Sequence, residues 1–351
     1  MKLDFDPDAP AGGESGLYGL PFSVQDSHVV VIPVPFEATT SYGGGTSSGP
    51  RAVLRASRQV DLYDQQTGRP YEYGIAMTEI PKRIVRWNRI ARNLAEPIIE
   101  VGGAVQGSRR LKRDLERVNE FGRRLNNWVH QETRSHLERR KMPVILGGDH
   151  SVPFGAIQAY AEAYPGLGIL HLDAHADLRQ AYEGFEWSHA SIFYNVFHHL
   201  PNVSRIVQVG VRDLGRAEKQ MIEESNGKIV TFFDADMIEK KQRGVPFDEI
   251  ADEIVAQLPK IVYLSWDIDG LDPTLCPGTG TPVPGGLSWH EAVGLLRALV
   301  RHGRRIVGFD LCEVAEGSTE WDANVGARLL YKMIGFALLS QQRVRLPEED
   351  R

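Results

Sequence analysis

Cysteine is nearly absent from this 351-residue chain. Its two thiols, Cys276 and Cys312, stand in no Cys-x-x-Cys pair, which excludes a disulfide framework and a thiolate zinc site. Long apolar runs are also missing; none reaches the roughly 18 residues that a spanning helix needs. The segment from Met1 to Pro10 is acidic and lacks the basic start and apolar stretch of a secretory signal. Nor is there an excess of positive charge. Against 40 Lys and Arg stand 46 Asp and Glu, a net charge of -6, which argues against a nucleic-acid partner and an anionic membrane surface. The basic runs Arg109-Arg110-Leu111-Lys112-Arg113 and Arg139-Arg140-Lys141 are flanked by Asp114, Glu116 and Glu138 and read as solvated helix faces. These absences predict a soluble, cytoplasmic protein.

The composition, 42% hydrophobic and 25% charged, is that of an ordinary globular chain able to bury a full core. Residues 1–27, rich in Gly, Pro and Asp, are expected to form an irregular arm, and residues 28–345 a single domain with a helical insertion at 83–140. Val29 to Val34 reads as the first buried strand. The glycine-rich stretch Thr39 to Pro50 follows, then a helix through Ala52, Val53, Leu54 and Ala56. That stretch has neither the Lys-Ser/Thr of a phosphate-binding loop nor a G-x-G-x-x-G pattern, so it reads as a structural or substrate-rim loop. Between Gly107 and Arg140, Leu111, Leu115, Val118, Phe121, Leu125, Val129 and Leu137 recur at helical spacing. From Val144 onward short apolar strands alternate with helices, which predicts an α/β fold, three-layer α/β/α, with a mostly parallel central sheet. Ligands in such sheets bind at the carboxyl ends of strands.

Three segments sit at those ends: Gly147-Gly148-Asp149-His150-Ser151, Asp173-Ala174-His175-Ala176-Asp177 and Asp267-Ile268-Asp269-Gly270-Leu271-Asp272. Each follows a strand-like apolar run. Burying that many carboxylates without compensation costs several kcal/mol per ion, roughly, so a cation is expected among them. Residues two apart on an extended segment project to one side, which groups Asp173, His175 and Asp177, and likewise Asp267 and Asp269. With His150 the set holds four carboxylates and two imidazoles. Hard oxygen ligands with borderline nitrogens suit Mn²⁺ and accept Ni²⁺, Co²⁺, Fe²⁺ or Zn²⁺. Six ligands exceed what one catalytic ion takes while keeping an open position, so two divalent ions are expected.

With these motifs, and with Gly278-Thr279-Gly280-Thr281-Pro282 and Gly285-Gly286-Leu287 after them, the chain resembles the ureohydrolase superfamily of arginases, agmatinases and related guanidino-hydrolases. The resemblance runs from Val29 to about Leu339 and implies an arginase-like fold with 28–345 as its catalytic domain. It also implies that His150, Asp173, Asp177 and Asp267 hold one metal while Asp173, His175, Asp267 and Asp269 hold the other, Asp173 and Asp267 bridging. By the same resemblance Glu313 pairs with the substrate guanidinium, His189 carries a proton to the leaving amine, Asp177 belongs to the catalytic set, and the chain forms a homo-trimer or homo-hexamer. The expected reaction is hydrolysis of a small guanidino substrate to urea and an amine.

The substrate expectation rests on departures from the arginase pattern. Arg179 stands where arginases commonly carry asparagine, and Gly215 where an aspartate is expected. Asp177-Leu178-Arg179 with Tyr182, Gly184 and Ser188-His189-Ala190 looks instead like an agmatinase branch, so agmatine is the first choice. Arginine, guanidinobutyrate, guanidine and formiminoglutamate remain alternatives, and a non-catalytic subunit is the rival from another class. Facing the pocket, Arg179 would repel a cationic tail; facing away, it would pair with a neighbouring acid, the preferred reading. Trp187 is expected beside His189, narrowing the pocket.

Overall fold

The computed structural model describes residues 5–13 and 15–342; residues 1–4 and 14 of the expected arm and 343–345 of the expected domain lie outside the described residues. The described residues build eight strands: β1 (Val29–Val34), β2 (Ile75–Met77), β3 (Met142–Gly147), β4 (Leu167–Leu172), β5 (Val203–Val211), β6 (Ile229–Phe233), β7 (Ile261–Asp267) and β8 (Arg305–Cys312). They form one sheet in the order β2-β1-β3-β8-β7-β4-β5-β6, and every pairing among them is parallel. Parallel strands need covered faces. Alternate residues of β1 show how this is met: Val29 and Val31 pack into one core cluster, Val30, Ile32 and Val34 into another on the opposite face.

The first face is covered by α1 (Gly49–Ser57), α8 (Phe247–Ala256), α9 (Trp289–Arg301) and α10 (Trp321–Ser340), the second by α2 (Lys82–Ile99), α3 (Arg109–Glu138), α4 (Phe154–Ala163) and α5 (Ile192–His199). Two further helices, α6 (Arg216–Glu224) and α7 (Asp234–Gln242), flank the β5–β6 end. The three-layer α/β/α arrangement expected from the alternation is therefore present. Not anticipated were the three-residue edge strand β2 and the helices α5, α6 and α7. Each is short, and α6 and α7 are mostly polar, so periodicity gives little signal.

Local chemistry sets several boundaries. Ser108 accepts from the Leu111 N–H at 3.2 Å to start α3, and Ser288 and Glu291 form a reciprocal capping box at α9. The face of α3 is less apolar than its spacing suggested: Asp114, Asn126 and His136 are buried on it. Close approach explains its glycine partners. A Cβ on Gly155 of α4 would lie 2.2 Å from the Asn126 carbonyl, and one on Gly122 would lie 2.6 Å from the Trp187 Cβ. Within the expected arm, Leu17, Tyr18 and Leu20 are buried in the core formed with α1 and α10.

An internal ion pair ties the loop before β2 to α10: Lys332 Nζ lies 2.6 Å from Asp64 Oδ2, while Asp64 Oδ1 accepts from the backbone of Gln66 and Thr67. Burial pushes the Asp64 carboxyl up, but Lys332 and these donors outweigh it and hold it below its usual range. A depressed carboxyl contributes stability that is present above its unfolded pKa and lost as pH falls through the folded value. Lys332→Met is expected to cost about 2 kcal/mol at pH 7 by denaturant unfolding. The difference should shrink below about pH 4; a pH-independent deficit would show that Lys332 acts through packing alone.

Candidate functional site

β3, β8, β7 and β4 are adjacent in the sheet, and the chain leaves their carboxyl ends carrying His150, Glu313, Asp267 with Asp269, and Asp173 with His175 and Asp177 respectively. Glycine permits the crowding. Gly148 lies so close to the end of β1 that a Cβ there would fall 2.0 Å from the Phe36 carbonyl, and one on Gly270 would fall 2.8 Å from the Asp173 nitrogen. Asp177 and Glu313 adopt positive φ, 54° and 62°, a left-handed conformation that non-glycine residues rarely take and that costs of order 1 kcal/mol or more.

All six residues singled out as candidate ligands converge. His150 Nδ1 lies 2.9 Å from Asp173 Oδ2, 3.2 Å from Asp177 Oδ2 and 3.6 Å from Asp267 Oδ2. On the other side of Asp173, His175 Nδ1 is 3.3 Å from Asp173 Oδ1 and 3.1 Å from Asp269 Oδ2. Among the described residues three groups of donor atoms are compact enough for an ion: His150 with His171, Asp173 and Asp177; His150 with Asp310 and Cys312; and Asp173 with His175 and Asp269. The first and the last share Asp173.

The electrostatics point to missing positive charge. Burial and the neighbouring carboxylates Asp269, Asp173 and Glu313 push Asp267 well above the carboxylate range. Burial and Asp173 push Asp177 up to about 7. Burial alone would lower His150, but its contacts with Asp173 and Asp177 raise it well above an ordinary histidine, and His175, likewise opposed by burial, is pushed up to about 12 by Asp269 and Asp173. Two imidazoles are recruited as cations and still leave carboxylates protonated. Divalent ions fit this donor set, and the tautomers agree. Ser265 donates to Asp310 at 3.0 Å, so its oxygen accepts from His150 Nε2 at 3.0 Å, leaving Nδ1 free towards the carboxylates. Imidazole ligands are commonly oriented by a hydrogen bond from the other ring nitrogen.

Sequence reasoning missed this supporting layer. His171 Nε2 contacts Asp173 Oδ2 at 2.9 Å. Its Nδ1 accepts from Gln208 Nε2 at 3.0 Å, and Gln208 is held by the Ala176 carbonyl and the Thr231 hydroxyl. The signal was present as polar residues inside apolar strands: His171 in β4, Gln208 in β5, Ser265 in β7 and Asp310 in β8. All four are fully buried.

A cavity of about 440 Å³ opens beside the cluster. His175, Asp177 and His189 line it together with Tyr42, Arg179, Tyr182, Asp213, Glu218 and Thr281. His189 carries a buried Nδ1 with no hydrogen-bond partner among the described residues; burial and His175 pull its pKa down to about 4. Glu313 is buried and is not among the residues lining this cavity. Its Oε1 accepts from the His150 N–H at 2.9 Å, and its Oε2 is buried without a hydrogen-bond partner among the described residues, 3.5 Å from where a Cβ on Gly280 would stand. Arg179 lines the cavity and also pairs with Glu218, its Nε 3.5 Å from Oε2, so both orientations considered for it are combined. Trp187 is not among the cavity-lining residues; its ring packs edge-on against Phe154 at 5.0 Å.

A parallel sheet presenting a two-ion cluster at its carboxyl edge is the frame of a metal-dependent hydrolase. The chain belongs to the arginase family, whose model matches residues 27–335, and it is a hydrolase of the ureohydrolase class in the agmatinase-like branch. It is 35% identical over 312 residues to N(1)-aminopropylagmatine ureohydrolase of Thermus thermophilus, covering 89% of this chain and 90% of that one. It is 30% identical over 326 residues to the agmatinase of Proteus mirabilis, covering 90% and 88%. The fold is similar to that of proclavaminate amidino hydrolase from Streptomyces clavuligerus, with a TM-score of 0.70, 22% identity and coverage of 95% and 99%. Among the described residues no helix is long and apolar enough to cross a membrane.

Because ions relieve repulsion in the native state only, chelator-treated protein is expected to gain about 2.7 kcal/mol when Mn²⁺ or Ni²⁺ is restored at about 100 times its Kd. Calorimetry should show Tm rising by several degrees; no rise with any divalent ion would mean that the cluster binds none.

Proposed function

We propose that this hydrolase releases urea from agmatine or an agmatine carrying an aminopropyl arm, leaving an aliphatic amine. The observation that carries this reading is the charge of the cavity wall. Of its three carboxylates Asp177 faces the ion cluster and Glu218 is paired with Arg179, the one Lys or Arg among the residues lining it, which leaves Asp213 as the unbalanced charge. Such a wall favours an amine tail over a carboxylate tail. The Thermus relative named for aminopropylagmatine supports the longer tail, and a cavity of about 440 Å³ falls within the usual range for small-ligand sites.

In this reading His150, Asp173, Asp177 and Asp267 hold one ion and Asp173, His175, Asp267 and Asp269 the other, with Mn²⁺ first and Ni²⁺ second among candidates. Bound there, two divalent ions supply the positive charge that the carboxylates lack and lower the pKa of water towards neutrality, which a weakly electrophilic guanidinium carbon requires. Glu313 accepts from the guanidinium through its free Oε2 and orients it. The positive φ at Glu313 serves this, since the turn aims the carboxylate back under Gly280. His189 carries a proton from the attacking water to the departing amine; its ring faces Tyr182 edge-on at 6.1 Å, fixing the imidazole on the cavity wall. The reading takes residues 28–345 as one catalytic domain of a cytoplasmic homo-trimer or homo-hexamer, which light scattering checks for assembly.

The deciding assay is urea release from agmatine, aminopropylagmatine, arginine, guanidinobutyrate and guanidine by Mn²⁺- and Ni²⁺-loaded protein, with formiminoglutamate read as formamide. Highest kcat/KM for either amine-tailed guanidine is the expected result; preference for arginine or guanidinobutyrate would overturn the tail assignment. Asp267→Ala is expected to lose at least one ion per chain by elemental analysis, with activity. Glu313→Gln should keep both ions yet lose about 100-fold or more in kcat/KM. Unchanged kinetics would remove Glu313 from the substrate site.

A further inference from the structure

Arg179 is placed with more care than a surface cation requires. Its backbone N–H donates to the Ala190 carbonyl at 3.0 Å, which ties it beside His189. Its guanidinium carbon lies 4.9 Å over the Tyr182 ring, and its Nε stands 3.5 Å from Glu218 Oε2. Glu218 is itself immobile. It is 4% exposed, Oε1 accepts from the Leu178 N–H at 3.0 Å and Oε2 from the Gly215 N–H at 2.7 Å. An aromatic face opposed to a fixed carboxylate makes a cation box, and Arg179 fills it.

The occupant is loosely held. A separation of 3.5 Å with no hydrogen bond is a weak ion pair, the Arg179 side chain is 43% exposed, and exposed pairs of this kind contribute little. Room to leave also exists: a second cavity, of about 600 Å³, is bordered by Arg179 and Glu218 and lies over the α5–α6 side. Lys or Arg side chains swing out readily because their charged heads prefer water.

We infer that the Tyr182–Glu218 box is the subsite for the distal ammonium of the substrate, and that Arg179, by competing for it, sets how tightly amine-tailed guanidines bind. This rests on the amine-tailed reading above. It assigns Arg179 a role opposite to that of a carboxylate receptor: the residue is an internal rival of the substrate tail, and a longer polyamine tail with more positive charge displaces it more readily.

Titration of the metal-loaded protein with 1,4-diaminobutane and spermidine tests the subsite without turnover. Arg179→Gln keeps both backbone contacts to Glu218 and is expected to lower the Kd of both amines by about three- to tenfold, with KM for agmatine falling by a similar factor and the Kd of tailless guanidinium unchanged. Adding Tyr182→Leu to Arg179→Gln should reverse the gain. Weaker or unchanged amine binding in Arg179→Gln, or an equal shift for guanidinium, would overturn the inference. Absence of urea from every amine-tailed guanidine with wild-type protein would instead sink the functional reading, while the titration still judges the subsite.

Discussion

Everything at the carboxyl edge of the sheet depends on mutual repulsion among buried carboxylates. Asp173, Asp177, Asp267, Asp269 and Glu313 are each nearly inaccessible to water. At such separations like charges in a poorly solvated site repel by several kcal/mol, roughly, far more than hydrogen bonds from the Ala174 or Asp269 backbone return. The protein alone answers with protonation: His150 and His175 are driven to hold protons, and Asp177 and Asp267 are driven to keep theirs. Divalent ions supply the same charge while leaving the carboxylates ionised and both imidazoles neutral. The cluster is thus a binding site because it is an unstable arrangement without cations.

Holding that arrangement open to ions requires a rigid surround. The central strands β3, β8, β7 and β4 supply the rigidity, since each is hydrogen-bonded on both sides. The polar residues within them supply the aim. Ser265 and Asp310 sit opposite one another in register between β7 and β8 and fix the His150 ring. His171 and Gln208, opposite one another between β4 and β5, fix Asp173. Each pair spans two neighbouring strands, so a slip of register by one residue would turn the supporting groups to the other face and release both ligands. The expected helical insertion also takes part through α2: Asn88 accepts from the Glu37 N–H at 2.8 Å and Arg92 donates to the Thr40 carbonyl, anchoring the loop that brings Tyr42 to the cavity.

What could be read from the chain alone follows from range. Side chains spaced two apart at the end of an apolar run need only local geometry to be grouped, so the gathering of Asp173, His175 and Asp177, and of Asp267 with Asp269, was legible. That the three motifs meet followed from the rule for parallel sheets, and β8 bringing Glu313 between two of them was reached only through family resemblance. The support layer was not legible, because a lone His171 or Gln208 in a strand carries no sign of its cross-strand partner. Secondary structure failed in the same way. The helices α9 and α10 fall within the strand–helix alternation read from Val144 onward, whereas β2 pairs only with β1 at the sheet edge, and α6 begins where Gly215 and Glu218 form a cap that periodicity does not register.

The metal cluster and the cavity wall are built from different parts of the chain. The cluster stands on turns anchored to the sheet. The cavity wall comes from loops and from the start of α6, and it supplies Tyr182, Asp213 and Glu218, the last of which also holds the Leu178 N–H beside Asp177. Arg179 stands at the boundary, two residues after Asp177 but paired with the wall rather than with the cluster. With an amine-tailed substrate, as proposed, its position would make selectivity an exchange of one cation for another inside a fixed box. The discrimination between tails then depends on the difference between two ion pairs and not on the absolute strength of either.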